Sequence, residues 1–142
     1  TLTTSLREES RIISMNIESI DHIVLTVKDI ESTCGFYAQV LGMQVATYGA
    51  GRKALLFGRQ KINLHEYGRE LQPKAHAPTP GSADLCFVTR HPMEQVLEHL
   101  RANEVEVLEG PIRRTGAMGA MTSTYFRDPD GNLIEVSNYV CP

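Results

Sequence analysis

The sequence predicts an α+β fold of two βαβββ modules, their mixed sheets forming a cupped, half-open barrel with helices outside. Three observations carry this prediction. The order strand, helix, then three strands occurs twice along 142 residues. A stretch rich in proline and glycine, "GRELQPKAHAPTPGS", separates the two occurrences. Within the strands, apolar residues alternate with polar ones, so each sheet has one face for its own helix and another for a different partner.

In the first module, "SIDHIVLTV" alternates as a strand. The helix that follows, "DIESTCGFYAQVLG", has Asp29 as N-cap, an apolar series at Ile30, Cys34, Tyr37, Ala38 and Leu41, and a stop at Gly42. The pieces "MQVATYG", "RKALLFG" and "KINLHEY" complete its strands. The second module opens with "SADLCFVT". Its helix has Pro92 near its start and Val96, Leu97 and Leu100 on one face, and "VEVLEGPIRR", "AMTSTYF" and "NLIEVSN" follow as strands. The expected boundaries are a tail over 1–17, in which Met15 reads as a natural start, then one domain over 18–140. That domain divides into a module at 18–68, a linker at 69–81 and a module at 82–140.

Composition excludes several classes of function. Apolar residues make up 42%, charged residues 22% and the formal charge is −3, with acids and bases interspersed, so no nucleic-acid footprint is expected. No apolar run approaches the roughly 20 residues of a membrane span, and no leader pattern opens the chain. Cys34, Cys86 and Cys141 lack metal or redox spacing and read as reduced thiols in a cytoplasmic protein.

Strand alternation places Ile23, Leu25 and Val27 against the helix and His22, Val24 and Thr26 on the opposite face, the cup face. Matching "DHIVLTV" to "ADLCFVT" gives His22 and Asp84 the same place in the two modules. Asn63 and His65 likewise share the cup face with Leu133, Glu135 and Ser137. Matching "NLHE" to "NLIE" without a gap would pair Glu66 with Glu135. It would also turn Glu66 toward the helix, so the offset is assigned to a shorter hairpin at 58–60. Glu135 draws attention because it follows the turn-rich "DPDGN" inside an apolar strand, where an acid packs poorly.

Three stretches, "DHIVLTVKDIESTCGFYAQVLGM", "ADLCFVT" and "YFRDPDGNLIEV", together resemble the vicinal oxygen chelate superfamily of glyoxalases, fosfomycin-resistance thiol transferases, extradiol dioxygenases and bleomycin-resistance proteins. "RKALLFGRQKINLHE" and "GPIRRTGAMG" look most like the glyoxalase domain-containing protein 5 group. The resemblance implies one divalent metal ion (Zn, Ni, Mn or Fe) held between paired modules. His22 and Glu135 match the family's first-strand and last-strand ligands. Asp84 stands where the family usually has a histidine, and Asn63 where glyoxalase I offers an acid, with His65 the competing donor. The implied chemistry is that of a glyoxalase-like lyase or isomerase acting on a small oxygenated substrate or a thiol adduct such as a glutathione hemithioacetal, with Glu135 as ligand and base. Extradiol-type dioxygenation, fosfomycin-type thiol transfer and non-catalytic small-molecule binding are the other readings, and a homodimer is the expected assembly.

Each candidate also has a plainer role. Asp84 could orient His22 rather than bind metal, and Glu135 could be a charge guarding a strand edge. Arg113 and Arg114, in "RRTGAMGAM", read either as a flap that neutralises an anionic substrate or as a solvated loop. Cys86 reads as buried packing, and His76 and His91 as surface. Only three residues separate Gly131 from Glu135, which rules out a calcium loop of the EF-hand type.

Overall fold

The computed structural model describes residues 12–141. Its elements run β1 (His22–Val27), α1 (Ile30–Gln39), β2 (Gln44–Tyr48), β3 (Arg52–Phe57), β4 (Gln60–Glu66), β5 (Asp84–Val88), α2 (Met93–Ala102), β6 (Glu109–Gly116), β7 (Gly119–Arg127) and β8 (Leu133–Tyr139). They form two four-stranded sheets with matching orders, β1-β4-β3-β2 and β5-β8-β7-β6. In each, the first strand runs parallel to the last and the other pairings are antiparallel. The two βαβββ modules are therefore present, and neither sheet closes into a barrel. Of the expected tail, residues 1–11 lie outside the described residues. From residue 12 to Asp21 the chain has no regular structure, and it exposes Ile12, Ile13, Met15, Ile17 and Ile20.

Local chemistry sets the helix ends. Asp29 is extended and its side chain accepts from the Ser32 N–H at 2.9 Å, the geometry of an N-cap. Gly42 takes φ 68°, a left-handed conformation open to glycine, and α1 ends before it. The buried face of α1 differs from the expected one: Thr33 and Tyr37 are buried while Ala38 is exposed. In α2, Met93 joins Leu100 in burial.

Apolar strand residues and the helices form one continuous core. Leu25, Val27, Leu55, Ile62 and Leu64 from the first sheet join Phe126, Ile134 and Val136 from the second, with Tyr37 and Leu100 between them. Burying each such side chain contributes roughly 1.5–3 kcal/mol. Aromatic pairs cross the module boundary: Phe57 meets Phe87 edge to face at 5.4 Å, and Phe36 meets Phe126 at 6.3 Å. The helix-covered faces thus pack together. The cup faces are left facing outward, with Val24 45% and Val88 57% exposed.

The "DPDGN" turn fastens the modules. Asp128, 6% exposed, accepts from the N–H groups of Asp130 and Asn132, from Asn132 Nδ2, and from the Tyr37 hydroxyl of α1 at 2.7 Å. Asn132 Oδ1 accepts from the Ala83 N–H, and Asp130 Oδ1 from the Lys28 N–H. Burial, reinforced by the Asp128 charge, pushes the Tyr37 phenol far above its ordinary value.

Asp128→Ala leaves the Tyr37 hydroxyl buried without a partner and should cost about 3 kcal/mol, against about 1–2 kcal/mol for Tyr37→Phe, both read from urea midpoints. Because the Tyr37 pKa is raised on folding, its share of stability is complete below the unfolded phenol's pKa of about 10 and is lost as pH rises beyond it. Tyr37→Phe should therefore flatten the alkaline loss of stability by one proton. An unchanged slope would contradict this burial.

Candidate functional site

The registers of the two sheets show which residues share the cup face. In the first module His22 pairs with Lys61, Val24 with Asn63 and Thr26 with His65. In the second, Asp84 pairs with Leu133 and Cys86 with Glu135. Superposing the modules therefore aligns His22 with Asp84 and Asn63 with Glu135, as the offset reading requires. Phe57 pairs with Gln60 across a two-residue turn, the short hairpin that produces the offset. Glu66 pairs with Val27, on the helix side.

His22 is oriented by its neighbour. Its Nδ1 lies 2.7 Å from Asp21 Oδ2, and a carboxylate only accepts, so Nδ1 carries the proton and Nε2 presents a lone pair. The same hydrogen bond draws the exposed Asp21 carboxyl below its usual value. A histidine whose far nitrogen is held by an acid is the usual form of a metal ligand.

Glu135 is prepared in a similar way. Its Oε2 accepts from Ser123 Oγ at 2.5 Å and Ser137 Oγ at 3.1 Å, and the two serine hydroxyls are 2.7 Å apart. Both serines are fully buried, and among the described residues Oε1 makes no hydrogen bond. Cys86 is exposed rather than buried as expected, because its face of β5 is open, and its Sγ lies 3.3 Å from Ser137 Oγ. Partial burial raises its thiol pKa; the Ser137 bond opposes this and the Glu135 charge adds to it.

Ser123 and Tyr125 were missed from sequence. They belong to "AMTSTYF", whose alternation resembles any half-buried strand; the available signal was their two-residue spacing opposite Ser137 and Glu135. Tyr125 pairs with Glu135, and its hydroxyl accepts from Arg114 Nε at 3.0 Å. Partial burial pushes the Tyr125 phenol up, while Arg114 pulls it down.

"RRTGAMGAM" is neither flap nor loop. Its residues continue β6 and β7 across a turn at Ala117 and Met118, and alternation puts the arginines on opposite faces. Arg113 pairs with Thr122 on the face away from the cup. Arg114 pairs with Met121 on the cup side, with Glu109 3.6 Å from it. His76 and His91 are exposed, as expected.

Within one chain the four candidate ligands do not converge. His22 and His65 lie on one cup face, Asp84 and Glu135 on the other. Among the described residues no group of three His, Cys, Asp or Glu is placed to hold a metal ion. Asn63, 6% exposed, has its Oδ1 buried without a hydrogen-bond partner.

The family model "Glyoxalase/Bleomycin resistance protein/Dioxygenase superfamily" matches residues 19–136. The Salmonella typhimurium "Virulence protein STM3117" is 55% identical over 90% of this chain and 89% of its own length. Its crystal structure superposes with a TM-score of 0.87, covering 89% of this chain and all of that one. The "Glyoxalase domain-containing protein RDO1" of Mycosarcoma maydis is 51% identical over 88% of this chain and 70% of its own. The fosfomycin resistance protein FosX of Listeria monocytogenes, solved with Mn(II) and sulfate, shares the fold at 24% identity and a TM-score of 0.63, over 88% of this chain and 93% of that one.

The Cys86 environment is testable. Glu135→Gln removes a nearby negative charge, so the Cys86 thiol pKa should fall and its alkylation at pH 8 should quicken about twofold or more, read by mass spectrometry. An unchanged rate would separate the two side chains electrostatically.

Proposed function

As a member of the Glyoxalase/Bleomycin resistance protein/Dioxygenase superfamily, this chain, we propose, is a divalent-metal-dependent lyase or isomerase of the glyoxalase type whose site is assembled from two copies. One observation carries the reading. His22 and Glu135 are each oriented within the chain, with Nε2 and Oε1 left over, yet they stand on separate open faces. Placing the first module of one copy against the second module of another brings the two half-sites together. Charge favours that pairing. The first cup face carries Arg52 and Lys61 and no strand carboxylate, while on the second Asp84, Glu109 and Glu135 outnumber Arg114 and Arg127. The exposed apolar side chains of residues 12–20, which lead into β1, further suit a chain that meets a partner.

In this assembly His22 through Nε2, Glu135 through Oε1, and Asp84 or His65 would hold the ion. Asn63, on the same cup face as His22 and with no hydrogen-bond partner at Oδ1 among the described residues, would contact the substrate. The ion would act as a Lewis acid toward two neighbouring substrate oxygens. Detached from the ion, Glu135 would accept the substrate proton at Oε1 while Ser123 and Ser137 keep Oε2 in place. Tyr125, held by Arg114, faces the same space and donates a hydrogen bond to the substrate. A small oxygenated substrate or thiol adduct fits these roles, and the cytoplasm is the proposed location.

Mixing two variants tests the assembly. His22→Ala and Glu135→Ala should each lose manganese or zinc, measured by elemental analysis. Refolding them together should restore about a quarter of the wild-type metal content, since half of randomly formed dimers carry one intact site. No recovery on mixing would sink the two-copy site. No uptake by the wild-type protein would leave a non-catalytic binding protein.

A further inference from the structure

The cup face of the first module carries a cluster that the metal site does not use. The Tyr48 ring has the Arg52 guanidinium 4.8 Å from its centre and the Lys61 ammonium at 5.0 Å. All three side chains are half-buried and share a face with His22 by register. Tyr48 lies on β2 and Lys61 on β4, with β3 between them. Their contact therefore passes over the cup side of β3. This accounts for Ala54 being fully buried on the cup face, where its sheet partner Asn63 is buried too.

Two cations drawn to one ring repel each other, and a phenol face offsets little of that repulsion. Among the described residues neither cation has a carboxylate within salt-bridge distance. Arg114, on the other module, is by contrast engaged by Glu109 and Tyr125. Lys61 also acts on the Asp21 carboxyl, which places its charge beside His22. Within one chain the cluster thus feels the Asp21 charge only from a distance and has no anion bonded to it, and Asn63 Oδ1, paired across the sheet from Ala54, has no hydrogen-bond partner among the described residues.

We propose that Tyr48, Arg52 and Lys61 form an oxyanion subsite beside His22 that takes the carboxylate, phosphonate or phosphate of the substrate. This rests on the cup being the substrate site and narrows the substrate class to small anions. Arg52 supplies a planar fork, Lys61 a mobile charge and Tyr48 the platform that holds both.

The test is calorimetric titration of acetate, methylphosphonate and inorganic phosphate into the metal-free full-length protein and into the protein incubated with Mn2+, at low salt. The expected result is saturable binding of at least one oxyanion, the preferred one identifying the group. Arg52→Gln and Lys61→Gln should each weaken it roughly tenfold. Lys61→Arg should retain most of it, Arg52→Lys, which keeps the charge and loses the fork, should fall between wild type and Arg52→Gln, and Arg59→Gln, in the exposed β3–β4 turn, should leave it unchanged. Absence of saturable binding, or equal binding by the Gln variants, overturns the subsite. Manganese uptake without oxyanion binding overturns the subsite alone. Oxyanion binding without manganese uptake upholds the subsite and removes the metal reading.

Discussion

A carboxylate taken out of water has to be surrounded by donors, and the placing of the two modules follows from how Asp128 meets that demand. Three of its donors come from its own turn, and the fourth is Tyr37 of the other module. Swinging the modules apart would strand both a buried charge and a buried hydroxyl. The neighbouring bonds from Lys28 and Ala83 anchor the same turn to the end of β1 and the approach to β5. At Gly81 the approach is so close that a Cβ would lie 2.5 Å from the Asp130 carbonyl oxygen, which leaves glycine as the residue that fits.

This clasp has a geometric consequence for chemistry. With the helix-covered faces committed to a shared core, both concave faces turn outward, each carrying half of a donor set. The repeat sharpens the division. Equivalent places hold His22 and Asp84, then Asn63 and Glu135, so duplicated positions have taken different donors. The first face holds nitrogen donors and cations without a strand carboxylate, and the second holds three carboxylates partly offset by Arg114 and Arg127. Such halves are complementary to each other and poorly suited to pairing with themselves.

Much of this was legible in sequence, because it depends on periodicity. Strand alternation assigned Leu25, Ile62 and Ile134 to the core and His22, Asn63 and Glu135 to the opposite face, and the short hairpin at Gly58 and Arg59 resolved the register of His65 against Glu66. The direction in which the modules face was not legible. It is set by contacts between distant residues, Tyr37 with Asp128 and Phe57 with Phe87, that leave no local pattern. The arginine hairpin was misread because glycines at 116 and 119 signal a loop and a tight turn equally well. Tyr48, Arg52 and Lys61 went unnoticed because they converge from three strands.

The serine pair behind Glu135 has a consequence of its own. Hydroxyls are rotors: each can reverse from donor to acceptor by turning about one bond, without backbone displacement. Ser123 and Ser137 are buried, in contact with each other and with the same carboxylate oxygen, and Ser137 also reaches Cys86. A change of charge at Glu135 can thus be absorbed by reorienting two hydrogens while the heavy atoms stay still. The acid is held in place mechanically and left free electrically, and those are the two properties a group needs in order to bind and to exchange a proton in the same position.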